Sequence, residues 1–197
     1  MAMNADELVQ ALAPLIEALE RLGIAYYVGG SAASSVYGVP RRTDDADVVA
    51  DLQFQHIRLF VKQLETGYYI DADAVRDAIR YRSSFNVIHL DTMLKVDVFI
   101  PKSRLFAQQE LRRVQVGVLG EGTRPFYFSS PEDIILNKLE WYKMGGEVSK
   151  RQWGDILGVL NKMGTKLDIT YLQQWAANLR VTDLLDRALT EAGIRKE

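Results

Sequence analysis

Three aspartates carry the most chemistry in this chain. Asp45 and Asp47 stand two apart in Asp45-Ala46-Asp47-Val48-Val49-Ala50, a run that alternates with the period of a β-strand. Their carboxylates therefore leave the same face, with Cα atoms roughly 6.5 to 7 Å apart. Two adjacent anions favour a cation between them. Mg²⁺ takes hard oxygen ligands and is commonly shared by one or two carboxylates and substrate phosphates, and Mn²⁺ has the same ligand preference.

The third acid, Asp97, lies in Leu94-Lys95-Val96-Asp97-Val98-Phe99-Ile100. A carboxylate in so apolar a strand is costly unless it is paired, hydrogen-bonded or bound to metal. Two partners are open to it: Lys95, two residues away on the same face, or a metal shared with Asp45 and Asp47. With two ions about 3.5 to 4 Å apart, one activates an acceptor hydroxyl and the other steadies a pyrophosphate leaving group. Asp97 is then the candidate for taking the acceptor proton.

Upstream, Gly29-Gly30-Ser31 ends the short β-prone run 24–28, and thirteen residues, 32–44, separate it from Asp45. Glycines after a strand let backbone N–H groups approach phosphate oxygens, the following helix aims its positive end at them, and a serine hydroxyl adds a donor. The β- and γ-phosphates of an NTP are the expected occupants. Arg41 and Thr43, in the connector before Asp45, are further candidates for triphosphate contact.

These residues need elements to hold them. Leu8, Leu12, Leu15, Ile16, Leu19 and Leu22 recur at helical spacing over 6–22, where Pro14 invites a kink and Gly23 a stop. Strands are expected at 45–52, 85–90 and 94–100, shorter ones at 114–118 and 126–128, and helices at 54–64 and 71–81. Beyond Ser130 the pattern turns helical. Ser130-Pro131-Glu132-Asp133 reads as a capped helix start, and helices are expected at 131–143, 149–162, 168–178 and 181–192. The expectation is an α+β catalytic domain over 1–129, followed by a C-terminal helical domain over 130–197.

Composition narrows the function. Among 197 residues, 48% are hydrophobic and 25% charged, the balance of a globular protein, and the formal net charge of -2 gives no strong overall field for nucleic acid or membrane. There is no cysteine and there are two histidines, so any metal must be held mainly by oxygen. No stretch reads as a secretory signal or a membrane span, so a cytoplasmic location without membrane partners is expected. His89, alternating into a strand, reads as structural, as do Trp141, Tyr142 and Trp153 on helices and Tyr26, Tyr27 and Tyr37 beside the glycines.

The runs Val28-Gly29-Gly30-Ser31, Gly38-Val39-Pro40-Arg41-Arg42-Thr43-Asp44-Asp45-Ala46-Asp47 and Lys95-Val96-Asp97-Val98-Phe99 together resemble the DNA polymerase β-like nucleotidyltransferase superfamily. Within it the chain is similar to the bacterial minimal nucleotidyltransferases that include AbiEii-type toxins. The resemblance implies a mixed β-sheet flanked by helices, with a C-terminal helical bundle. It implies Mg²⁺-dependent transfer of a nucleoside monophosphate from an NTP such as ATP to an acceptor hydroxyl, with release of pyrophosphate. The acceptor class extends over tRNA ends, proteins and small molecules, and an antitoxin protein is an implied partner. The phosphate-loop roles fall on Gly30 and Ser31, with Gly29 beside them, and the metal roles on Asp45, Asp47 and Asp97. In the tail, Lys138 resembles a lysine presented to nucleotide phosphates. Arg151 and Asp155 resemble a late charged motif, although their four-residue spacing also fits a simple helix pair. Ala46 and Ala32 depart from the usual pattern, where a larger aliphatic and a bulkier polar residue are expected. The reading from another class is a nucleotide-binding or interaction module without turnover, as half of a toxin-antitoxin pair.

Overall fold

A computed structural model of the chain describes residues 5–39, 45–120 and 122–194. Its architecture is α+β, as expected. The strands are β1 (Tyr26–Val28), β2 (Asp45–Ala50), β3 (Tyr68–Tyr69), β4 (Ser84–His89), β5 (Lys95–Phe99), β6 (Gln115–Gly117) and β7 (Phe126–Phe128). They form one mixed seven-stranded sheet in the order β3-β4-β5-β2-β1-β7-β6. The pairs β2/β5 and β1/β7 are parallel and the remaining neighbours antiparallel.

Two compact units divide the chain: Met1–Ala32 with Arg42–Phe128, and Ala33–Arg41 with Ser129–Glu197. The first contains the whole sheet with α1 (Ala5–Arg21), α3 (Ile57–Leu64), α4 (Ala72–Tyr81) and α5 (Leu105–Arg112). Helix α2 (Gly30–Tyr37) begins in the first unit and ends in the second. The second unit holds α6 (Pro131–Met144), α7 (Lys150–Met163), α8 (Ile169–Asn178) and α9 (Thr182–Glu191).

In the first unit, α1 buries Leu12, Leu15, Ile16 and Leu19 completely, and Pro14 lies inside the helix without ending it. This helix packs on α3, which packs on α4. The chain passes from β2 to its parallel neighbour β5 by way of α3, β3, α4 and β4, because parallel strands need a long crossover. The expected helix over 54–64 divides into a 3₁₀ turn, Phe54–His56, and α3. Asp71 caps α4, accepting from the backbone N–H groups of Asp73 and Ala74, and Arg82 ends it in the left-handed region at φ 50°.

In the second unit, the Ser130 hydroxyl accepts from Asp133 N–H to cap α6, and Pro131 occupies the first turn. Helix α6 packs on α7, α8 and α9, and α9 also packs on α7 and α8. Their core contains Ile135, Leu136, Leu139, Ile156, Leu160, Leu172 and Leu185, all fully buried. Each contributes about 1.5 to 3 kcal/mol by leaving water. Tyr142 and Trp153 stack with ring centroids 5.1 Å apart, whereas Trp141, also expected to pack, faces outward. Among the described residues, no helix is long and apolar enough to cross a membrane.

Candidate active site

The alternation in β2 is realised strictly. Ala46, Val48 and Ala50 are fully buried on one face of the strand, while Asp45, Asp47 and Val49 lie half-buried on the other. Strand β5 repeats the pattern, with Val96 and Val98 buried and Lys95, Asp97 and Phe99 on the second face. The parallel register sets Asp45 opposite Lys95 and Asp47 opposite Asp97. Neighbouring strands lie about 4.8 Å apart, so Asp47 and Asp97 are side by side.

On its other edge β5 pairs with β4, which sets Asn86 opposite Asp97. Asn86 is exposed, and cross-strand partners share a face. It therefore brings a neutral amide beside the third acid. The sequence reading passed over it, although the period of 84–89 carries the signal.

The glycine loop meets the same face. Gly29 N–H donates to the Asp47 carbonyl at 2.9 Å, one residue beyond the Val28–Val48 pairing, so the β1/β2 ladder runs up to the turn. Gly30 then takes φ +54° and starts α2. A side chain on Gly30 would overlap the Asp47 carboxylate. The first turn of α2, with Ser31, thus rises from directly beside Asp47. Gly29 is different in kind: a Cβ there would meet only the Tyr27 ring, at an ordinary 3.6 Å.

Lys95 closes the group. Its Nζ lies 2.8 Å from Oδ2 of Asp97, with the side chains 44% and 17% exposed respectively. The hydrogen bond to Asp97 raises the lysine pKa, partial burial opposes this, and the charges of Asp97, Asp45 and Asp47 add to the rise. One ammonium therefore responds to all three carboxylates. Lys95, one of the two partners open to Asp97, is thus bonded to it. Among the described residues, no group of three or more His, Cys, Asp or Glu side chains is drawn together as a metal site. The donors nonetheless suit a hard divalent cation: half-buried carboxylates on one face of adjacent strands, already organised around a positive charge.

Behind the loop, the Tyr27 hydroxyl donates to Oε1 of the buried Glu110 at 3.0 Å, which ties β1 to α5. His89 is buried, bonded through Nδ1 to the Thr92 hydroxyl at 2.9 Å and packed on Tyr68. It is structural, as expected. Arg41 and Thr43 lie outside the described residues.

The remaining expected residues belong to the second unit. Lys138 on α6 donates to Oδ2 of Asp155 on α7 at 2.8 Å, and both side chains are nearly buried. Asp155 thus pairs between helices, from α7 to α6. Glu132 and Asp133 are 5% and 0% exposed. Oε1 of Glu132 accepts from Asp168 N–H at 3.1 Å, and Oδ1 of Asp133 accepts from the Tyr171 hydroxyl at 2.7 Å, so the start of α6 is tied to the start of α8.

The fold is that of nucleotidyltransferases. It aligns over 98% of this chain and 94% of the other with an antigenic nucleotidyltransferase-like protein from Paracoccidioides brasiliensis, at TM-score 0.57 and 19% identity. The antibiotic-resistance factor ANT(2'')-Ia aligns over 93% of this chain and 98% of its own, at TM-score 0.58 and 14% identity. The lincosamide antibiotic adenylyltransferase LnuA, in its lincomycin-bound crystal structure, aligns over 81% of this chain and 98% of its own, at TM-score 0.52 and 17% identity. No protein-family model and no curated protein sequence matches the chain. At these identities the likeness is one of fold.

Proposed function

We propose that the chain is a nucleotidyltransferase that moves a nucleoside monophosphate from an NTP to an acceptor hydroxyl. The observation that carries the reading is the alignment of Asp47 with Asp97 across β2 and β5, with Gly30 set against the Asp47 carboxylate. A phosphate-binding turn and a pair of acids meet at one point on a fold that also serves adenylyltransferases.

In this reading the acceptor oxygen attacks the α-phosphorus in line as the bond from that phosphorus to the bridging oxygen of the pyrophosphate breaks. Asp97 accepts the hydroxyl proton. Backbone N–H groups at Gly30 and Ser31, with the Ser31 hydroxyl, hold the departing phosphates, whereas the Gly29 N–H is already taken by the Asp47 carbonyl. Asp45, Asp47 and Asp97 would hold Mg²⁺, which when bound supplies charge neutralisation to the triphosphate and lowers the pKa of the acceptor. Arg41, Thr43 and Lys138 enter as triphosphate contacts on the sequence pattern alone.

ATP and a small hydroxylated acceptor form the preferred substrate pair. ANT(2'')-Ia is described in complex with adenylyl-2''-tobramycin and LnuA with lincomycin, so related folds accept ligands of this size. The test is transfer of α-labelled phosphate from each NTP, with Mg²⁺, into a panel of aminoglycosides, lincosamides, tRNA and the protein itself. Labelled product with pyrophosphate release, absent in Asp97→Ala, is the expected result. Transfer undiminished in a folded Asp97→Ala protein would sink the assignment.

A further inference from the structure

On adjacent strands β2 and β5, Lys95 shares a face with Asp45, Asp47 and Asp97. Lys95 and Asp97 are two apart on the same strand, so the lysine stem runs along the sheet to bring Nζ to Oδ2, 2.8 Å away. Asp45 stands opposite Lys95 and Asp47 opposite Asp97, which sets the four groups in a square of positions on one face.

The two ends of the ion pair differ in freedom. Asp97 is 17% exposed and sits in the middle of its strand, paired on both sides. Lys95 is 44% exposed, on a flexible four-carbon stem, at the start of the strand. An exposed ion pair of this kind is weakly held. A stronger cation would displace the lysine and leave the carboxylate where it is.

We infer that Lys95 is a tethered counter-ion, which occupies the Asp97 carboxylate until a divalent cation displaces it and thereby sets how tightly the group takes metal. The inference rests on the proposed function, since it assumes that the three acids are metal ligands. Lys95 acts through Asp97 and is in this sense a positioning residue. It makes metal binding a competition between two cations for the same oxygen. Metal affinity in the absence of nucleotide is accordingly low, and the triphosphate supplies the extra ligands that tip the exchange.

The experiment is direct Mn²⁺ binding to the nucleotide-free full chain, followed by electron paramagnetic resonance of the free ion, for wild type, Lys95→Met and Lys95→Gln. Removing the positive charge that competes for Asp97, screened by water and salt, is expected to tighten Mn²⁺ binding about tenfold. Gln, which keeps a hydrogen bond to Asp97 without the charge, should tighten binding to a similar degree and guards against a folding defect in the Met variant. A purely structural lysine would give unchanged or weaker binding. That result, with nucleotidyl transfer by the wild type intact, overturns the inference and leaves the proposed function standing. A wild type that neither binds Mn²⁺ in the presence of NTP nor transfers nucleotide overturns the proposed function, and the inference with it.

Discussion

Gly30 lies against Asp47 so closely that a Cβ on the glycine would overlap the carboxylate and stand 2.9 Å from the aspartate's own Cβ. The contact fixes where the turn after β1 can go and which way the second acid of β2 can point. It also separates the two glycines of the loop: only Gly30 has positive φ, and only Gly30 lacks room for a side chain.

Gly30→Ala should therefore act twice. The left-handed backbone alone costs about 1 to 3 kcal/mol for a residue with a side chain, and the overlap displaces the Asp47 carboxylate. Lower stability in urea and loss of nucleotide-induced thermal stabilisation are both expected. Gly29→Ala, measured in the same melts, should stay within about 0.5 kcal/mol of wild type, the usual range for a change that meets no special constraint.

Asp97→Asn removes the proton acceptor and one metal oxygen while keeping the volume of the side chain. Transfer should fall by at least about 100-fold, the smaller end of a general-base contribution, with an unchanged circular dichroism spectrum. Asp47→Asn should do the same. Retention of full pyrophosphate release in either variant would separate these acids from the chemistry.

In the second unit, the Lys138–Asp155 pair is nearly closed to water, with side chains 12% and 9% exposed. Removing one partner takes a charge-assisted hydrogen bond from the other where little water can replace it. Lys138→Met and Asp155→Asn are each expected to cost about 3 kcal/mol, and the combination of Lys138→Met with Asp155→Leu should recover much of that loss. A double-mutant cycle in urea measures the coupling, and simple additivity would mean that the pair is not an energetic unit.

Alkaline pH offers a check on the tyrosines. Burial, and to a lesser degree the charge of Glu132, pushes Tyr37 up to about 12. Tyr26 is raised by burial and then by its hydrogen bond to Glu20, and Tyr68 by burial above all. The folded values lie above the unfolded one, so their contribution is complete below about pH 10. It falls as pH rises further, because the unfolded chain then releases protons that the folded chain retains. Urea midpoints should drop as pH rises from about 10 towards about 12, and Tyr37→Phe should flatten the slope. Tyrosinate absorbance should show a late-titrating fraction in the folded protein that disappears in urea.

Much of the site was legible because it rests on local period. Alternation in 45–50 and 95–99 put the acids on shared faces, and both strands formed with that polarity. Lys95 was visible as a partner of Asp97 from the same period. Which glycine would turn left-handed was hidden, since it follows from where Asp47 arrives from another strand. Helix α5 escaped notice because Leu105–Arg112 buries only Phe106, Ala107 and Glu110, too few apolar positions to set a helical period. Strand β3, with two residues, has no period to read. In the tail, Glu132 and Asp133 read only as part of a capped helix start, and their bonds to the start of α8 arise from packing of distant segments.

The crossover from β2 to β5 has a consequence for assembly. Asp47 and Asp97 become neighbours only when a parallel strand pairing across some fifty residues has formed, after α3, β3, α4 and β4 are in the chain. Such non-local pairings form slowly, and their loop entropy must be met before they give any return. A nascent chain released only as far as β4 would have the glycine turn and two of the acids, but no third. Strand β5 then delivers its carboxylate and its own ammonium in the same step, so the closing pair of strands meets with less repulsion than three acids alone would impose.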